Sequence, residues 1–171
     1  MRKKLIVVIS IVCILFTCCS CSSNSNNENA STTTTTSSKK ESKINLDMDD
    51  RFAIVDATYY LSPVENTVSV KLKIKNKTNE DYDKIYFQFY YYDKNGDKIG
   101  GQYTGEEMEA DSSTWVGPIS TKMEENDFGS IKINYYDILE KTGTSEYTPK
   151  EQVEFSPKIE VSVNQMNKTD N

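Results

Sequence analysis

YDKIYFQFYYYDKNGDKIGG, residues 82–101, decides the fold of this chain. Ile85, Phe87, Phe89 and Tyr91 occupy the odd positions, and Tyr86, Gln88, Tyr90 and Tyr92 the even ones. A period of two in a run of Tyr and Phe is the pattern of a β-strand with one face in a core. Asn95-Gly96 then reads as a type I′ hairpin turn, because both residues tolerate positive φ. The return strand is expected from Lys98 to about Met108, weakened or bulged at Gly100-Gly101.

The same alternation extends on both sides. Before the stretch, RFAIVDATYYLS (residues 51–62) is rich in β-formers and is stopped at Ser62-Pro63. TVSVKLKIKNKT follows, with Val68, Val70, Leu72 and Ile74 on one face and Ser69, Lys71, Lys73 and Lys75 on the other. That is a half-buried strand with a lysine-lined outer side, whose simplest roles are solvation and protection against edge pairing. After it, Thr114–Thr121 forms a short strand in which Gly117-Pro118 calls for an edge position or a bulge. SIKINYYDIL (130–139) alternates Ile131, Ile133 and Tyr135 against Lys132, Asn134 and Tyr136. QVEFSPKIEVSVN (152–164) alternates on either side of Pro157, and from Gln165 the chain turns polar and is expected to fray. About seven strands, with no helical periodicity of useful length, imply an all-β antiparallel β-sandwich of immunoglobulin-like architecture, a small barrel being the alternative. Trp115, the single tryptophan, is expected in the core. The expected divisions are a signal segment over 1–21, a disordered tether over 22–45, the sandwich over 46–164 and a polar tail over 165–171.

Composition narrows the chemistry. From Ile44 onward 14 basic residues face 24 acidic ones, a net charge of −10. Nucleic-acid binding needs clustered Lys and Arg to neutralise phosphates, so no nucleic-acid partner is expected. The chain has no His, and its four Cys all lie within the first 21 residues. The commonest general base, thiolate metal sites and a disulfide framework are therefore missing from the sandwich.

The N-terminus carries Arg2, Lys3 and Lys4, then an apolar run from Leu5 to Phe16 broken by Ser10. Such a run is the length of a signal h-region and short of a spanning helix. LFTCCSCSS, residues 15–23, resembles the end of a bacterial lipoprotein signal peptide, in which a Cys after a small residue is lipidated and begins the mature chain. Cys21 follows Ser20 and fits that role, with Cys18 as the alternative. Cys18 itself stands where the family usually has Leu. An ordinary secretory signal and an uncleaved anchor are the other readings. Residues 22–43 are almost wholly Ser, Thr, Asn, Lys and Glu, too polar to recover ordering entropy by burial, and suit a flexible spacer. The resemblance implies a lipid anchor in the cell membrane, with the domain on the extracytoplasmic side.

Phe89, Tyr91, Tyr92 and Asp93 resemble the motif that names the FxLYD domain of secreted bacterial lipoproteins, with Tyr91 in place of Leu. The Val70-x-Leu72-x-Ile74-x-Asn76 strand before it and the Asp-Lys-Asn-Gly-Asp-Lys-Ile segment after it fit the same group. The resemblance covers roughly residues 52–140. It implies an extracellular β-sandwich and brings no catalytic residues.

Few constellations suggest chemistry. Asp93–Asp97 looks superficially like a calcium loop, but an EF-hand loop needs Gly at position six and Glu at twelve, whereas Gly96 would be fourth. Acidic runs around Glu106–Asp111 and Glu124–Asp127 are solvated loop charge unless they meet at one end of the sandwich. No nucleophile motif, phosphate loop or dinucleotide fingerprint is present, so neither catalytic residues nor a cofactor is expected. Tyr86, Tyr90 and Tyr92 remain, three outward tyrosines on one strand. Tyr supplies rigid amphipathic area suited to proteins, peptides or glycans, although cross-strand packing alone also explains it. The leading expectation is a membrane-anchored binding or interaction module. An accessory subunit of an envelope complex is the alternative, and a hydrolase of envelope polymers a further one.

Overall fold

The computed structural model describes residues 44–62 and 65–170. The signal segment, Cys18 and Cys21, the tether up to Lys43 and Pro63 lie outside the described residues. Among the described residues nine strands form two antiparallel sheets: β1 (Leu46–Asp47), β2 (Phe52–Ser62), β3 (Thr67–Asn76), β4 (Tyr82–Asp93), β5 (Lys98–Met108), β6 (Ser113–Lys122), β7 (Phe128–Lys141), β8 (Tyr147–Ser162) and β9 (Asn167–Lys168). One sheet runs β1-β2-β3-β6, with β9 joining β2 in parallel, and the other runs β5-β4-β7-β8. The seven long strands are the expected seven. Their path places the first, second and fifth in one sheet and the fourth, third, sixth and seventh in the other. That is the immunoglobulin-like Greek key, with a fourth strand on the second sheet. Among the described residues there is no α-helix, only two three-residue 3-10 turns at Glu125–Asp127 and Val163–Gln165.

The core follows the pattern in the sequence. Val68, Val70, Leu72 and Ile74 of β3 are buried against Ile85, Phe87, Phe89 and Tyr91 of β4 and the Ile residues of β7. Phe52 lies at the aromatic centre, 5.1 Å from Tyr136, 5.4 Å from Tyr82 and 6.2 Å from Phe87 between ring centroids. The two sheets are also linked by polar groups at this end. The Asp49 carboxylate accepts the N–H groups of Arg51 and Phe52 and the hydroxyl of Tyr136, and Arg51 grips Glu151 with two bonds at 2.8 and 2.9 Å. Tyr91 stands where the FxLYD pattern has Leu, and its hydroxyl is buried without a hydrogen-bond partner. The backbone of Val70 acts on it, but in a geometry too poor to count as a bond.

Several local expectations need correction, and most of the differences are bulges. The hairpin after β4 is not type I′, since Gly96 has φ +87° but Asn95 does not have positive φ. Gly96 N–H bonds Asp93 C=O, Asp93 N–H bonds Asp97 C=O, and the Asp93 carboxylate accepts the N–H groups of Asn95 and Asp97. The Asp93 side chain thus holds a three-residue loop with Gly in the left-handed region. An extra residue, Ile99, between Tyr92↔Lys98 and Tyr91↔Gly100 then restores the register a two-residue turn would have set. In β7 the register slips at Asn134, so Tyr136 points into the core and Tyr135 outward, the reverse of strict alternation. Opposite it, β8 jumps from Ile159 to Glu154, leaving Phe155–Lys158 bulged around Pro157, which has no N–H to pair. All three strand prolines, Pro118, Pro149 and Pro157, lie on edge strands. Trp115 is not in the core. It is 39% exposed on the outer side of β6, opposite Lys73, because the irregularity at Gly117-Pro118 turns Val116 and Ile119 inward instead.

Both ends of the domain extend past the expected boundaries. Ile44, assigned to the tether, is buried, as is Met48. The tail does not fray at Gln165: Met166 is buried, Asn167 and Lys168 pair with Thr58 and Tyr59, and Thr169 N–H bonds the Tyr59 carbonyl. A single apolar side chain at each end, set in polar sequence, outweighs the low hydrophobicity around it.

Candidate functional site

The outer face of the four-stranded sheet reads in rows across β5, β4, β7 and β8. Gly105, Tyr86, Asp137 and Gln152 form one row, followed by Tyr103, Gln88, Tyr135 and Glu154. Gly101, Tyr90, Lys132 and Glu160 come next, then Lys98, Tyr92, Ser130 and Ser162. Tyr86, Tyr90 and Tyr92 are therefore on one outer face, as β4's alternation implies, and all three are half-buried. Tyr103 and Tyr135, not singled out in the sequence, complete the aromatic surface.

The rings lie where they do because β5 gives them room. A Cβ on Gly101 would stand 2.5 and 2.7 Å from ring atoms of Tyr90, and one on Gly105 would stand 2.8 Å from Tyr86 Cγ. Glycine opposite tyrosine lets each ring lie over the neighbouring backbone, the cross-strand arrangement in which an aromatic covers an exposed glycine. Gly101→Ala is expected to lift Tyr90 off the sheet and to cost about 1–3 kcal/mol by overpacking. Denaturant melts check it, and adding Tyr90→Ala should recover only the ring's share of the loss, since the same Cβ would also stand 2.9 Å from the Phe89 carbonyl oxygen. A Gly101→Ala melt equal to wild type would contradict this account of the ring.

The face has two chemically different ends. Toward Tyr86 the rings gather: Tyr86 stacks on Tyr103 with centroids 4.7 Å apart and planes at 14°, and Tyr135 is 6.4 Å from Tyr103. Tyr103 hydroxyl donates to the nearly buried Asp137 carboxylate, whose other oxygen accepts Gln152 Nε2 at 2.7 Å. These bonds fix the Tyr103 ring while leaving it 45% exposed. Partial burial, followed by the bond to Asp137, pushes the Tyr103 phenol above its ordinary range. Toward Tyr92 three lysines gather, while a fourth, Lys84, lies 5.9 Å from the Tyr86 centroid at the other end. Lys98 Nζ lies 3.4 Å from the Tyr90 centroid, Lys158 Nζ 5.5 Å from the same ring, and Lys132 Nζ 4.5 Å from that of Tyr92. Lys132 also pairs with Glu160 at 3.2 Å. Ser130, donating at 2.7 Å, and then Lys132 hold the Glu160 carboxyl below its ordinary value.

The other constellations disperse. The acidic loop after β5 lies at the Tyr82 end of the second sheet and the one before β7 at the Asp93 end, so the two do not meet. Among the described residues no three His, Cys, Asp or Glu side chains gather as metal ligands. On the first sheet Lys71, Lys73 and Lys75 face outward as a row, and Lys75 pairs with Asp111 at 3.0 Å. Among the described residues no helix is long and apolar enough to cross a membrane.

Fold and face together define an immunoglobulin-like β-sandwich with an aromatic and basic outer surface. Comparison with protein-family models, curated proteins and solved structures finds no match to this chain.

Proposed function

We propose that this chain is a membrane-anchored extracytoplasmic lipoprotein, lipidated at Cys21 or alternatively Cys18, whose sandwich is a binding module of the FxLYD type. Its binding surface is the tyrosine face of the four-stranded sheet. The observation that carries this reading is the contiguity of five tyrosines on that face, with Tyr103 held by Asp137 and still exposed. Large aromatic residues at the middle of a rigid sheet offer contact area at low entropic cost, which suits recognition. The Ser/Thr/Asn-rich residues between Cys21 and Ile44 supply the reach of a tether.

Two measurements test the proposal on the full chain in a bacterial membrane. Mass spectrometry of the mature N-terminus should find a diacylated Cys21 or Cys18, and an intact leader would overturn the anchor. A photo-crosslinking residue at position 103 should trap envelope material on intact cells, whereas one at Lys71 on the opposite sheet should not. Equal yields from the two positions, or none from 103, would remove the tyrosine face from consideration.

A further inference from the structure

The distribution of charge on this face is unusual for the domain that carries it. The folded part has a net charge of −10, yet Lys98 and Lys158 place their ammonium groups over the same Tyr90 ring, and Lys132 sits over the adjacent Tyr92. The distances to the shared ring put Lys98 and Lys158 Nζ within about 9 Å of each other. Like charges so close repel, and an acidic domain has no need of them for solubility. Lys158 reaches this position from β8, two strands away from β4, because it belongs to the bulge around Pro157. A bulge of this kind re-aims a side chain that a regular strand would leave elsewhere. Glu160 neutralises Lys132, while the remaining carboxylates of the face, Asp137 and Glu154, belong to the rows of Tyr86 and Tyr103. The result is a basic end beside an aromatic end on one flat surface.

We infer that the occupant of the face is a phosphodiester-linked anionic glycopolymer. Its phosphates lie at Lys98 and Lys158, and its sugar rings lie against Tyr103 and Tyr135. The inference rests on the binding-module reading and adds the class of ligand. Charge complementarity carries it: the ammonium groups supply the point charges with which Lys holds phosphate. The exposed side of Tyr103 supplies an apolar plane bordered by the polar groups of Asp137 and Gln152, which suits a hydroxyl-bearing ring. A small phosphate alone would leave the tyrosines unused, and a neutral glycan would leave the lysines unused.

The test uses the full chain in detergent and fluorescently labelled glucosylated poly(glycerol phosphate), with hyaluronate, dextran and poly-glutamate as comparison polymers. Binding of the phosphate polymer is expected at least tenfold tighter than that of each of the others in low salt, and it should weaken steeply as salt rises. Lys98→Gln/Lys158→Gln should lower affinity about tenfold or more and flatten the salt dependence. Tyr103→Leu should lower it several-fold without altering the salt slope. Thermal melts of the variants confirm that they fold, and Tyr103→Phe, which keeps the ring but loses its bond to Asp137, should lose less affinity than Tyr103→Leu. Equal affinity for hyaluronate or poly-glutamate would mean a general polyanion site and overturn the phosphate assignment. Dextran binding that depends on Tyr103 but not on the lysines would overturn the inference while leaving the tyrosine face as a binding surface. Failure of all four polymers would overturn the inference alone. Phosphate-polymer binding indifferent to every variant would overturn both the inference and the face.

Discussion

Between pH 10 and pH 12 the domain is expected to lose most of its stability and unfold cooperatively. Tyr91 and Tyr136 are fully buried, and burial is the leading cause that raises each phenol above its ordinary range. In Tyr136 the bond to Asp49 adds to it, while the nearby Arg51 charge opposes it. A group whose pKa is raised on folding gives stability that is complete below its unfolded value, near pH 10 for tyrosine, and is lost as pH rises beyond it. The unfolded chain gains about 1.4 kcal/mol per tyrosine per pH unit above 10 while these two stay protonated in the native state. For the pair that is about 3 kcal/mol by pH 11 and 5–6 kcal/mol by pH 12, comparable to the whole stability of an ordinary domain. Urea melts at successive pH values check the slope, and in tyrosinate absorbance Tyr91 and Tyr136 should ionise only on unfolding, later than the exposed phenols and alongside the raised Tyr103. Tyr91→Phe should remove half of the slope that the buried pair contributes. It should also match or exceed wild-type stability at pH 7, because it deletes a buried hydroxyl that lacks a partner. Stability that stays flat from pH 9 to 12 would contradict the assignment of these two residues to the core.

Phe52→Ala is the second change with a large expected effect, a loss of about 3–5 kcal/mol at neutral pH. Phe52 joins the two sheets. It belongs to β2, yet its ring meets Tyr82 and Phe87 of β4 and Tyr136 of β7. Removing it strips partners from three aromatic rings at once and leaves a cavity that rigid β-strands cannot close by collapse. The Asp49 turn just before it keeps its bond to the backbone N–H of residue 52 in the variant, so the loss comes from the ring alone. Phe52→Leu refills much of that space and should cost clearly less. Equal losses for the Ala and Leu variants would show that shape at this site is unimportant, against the close packing described here.

The sandwich was legible because alternation is unbroken where it matters most. β3 and β4 bury every second residue as written, and their two rows form the middle of the core. Where a strand changes face partway, pattern alone misleads. Asn134 inserts one step into β7 and exchanges Tyr135 with Tyr136, and Gly117-Pro118 leaves Trp115 outside. Gly117-Pro118 announces its bulge in the sequence but not which side chain it leaves outside, whereas Asn134 carries no local signal strong enough to set the position of the bulge in β7. The tyrosine face was half visible. Tyr86, Tyr90 and Tyr92 follow from β4 by themselves, whereas Tyr103 and the two glycines need the pairing across the hairpin. Folding the sequence back at Asn95-Gly96 already sets Gly101 against Tyr90, Gly105 against Tyr86 and Tyr103 against Gln88, so that signal was available. The gathering of Lys158 with Lys98 was not, since it depends on the bulge of β8 and on a neighbour from a different hairpin.

The way β2 holds both ends of the domain has a mechanical consequence. β1 reaches it through two residues, opposite Ala53 and Ile54, and β9 through two more, opposite Thr58 and Tyr59. A load applied through the residues before Ile44 meets that two-residue pairing and the side chains of Ile44 and Met48 before it reaches any long strand. Under tension the N-terminal segment should peel away first, freeing several residues while β2 to β8 stay folded. The domain thus carries a short mechanical fuse at its N-terminal end, able to absorb a tug without loss of the face that β4, β5, β7 and β8 present.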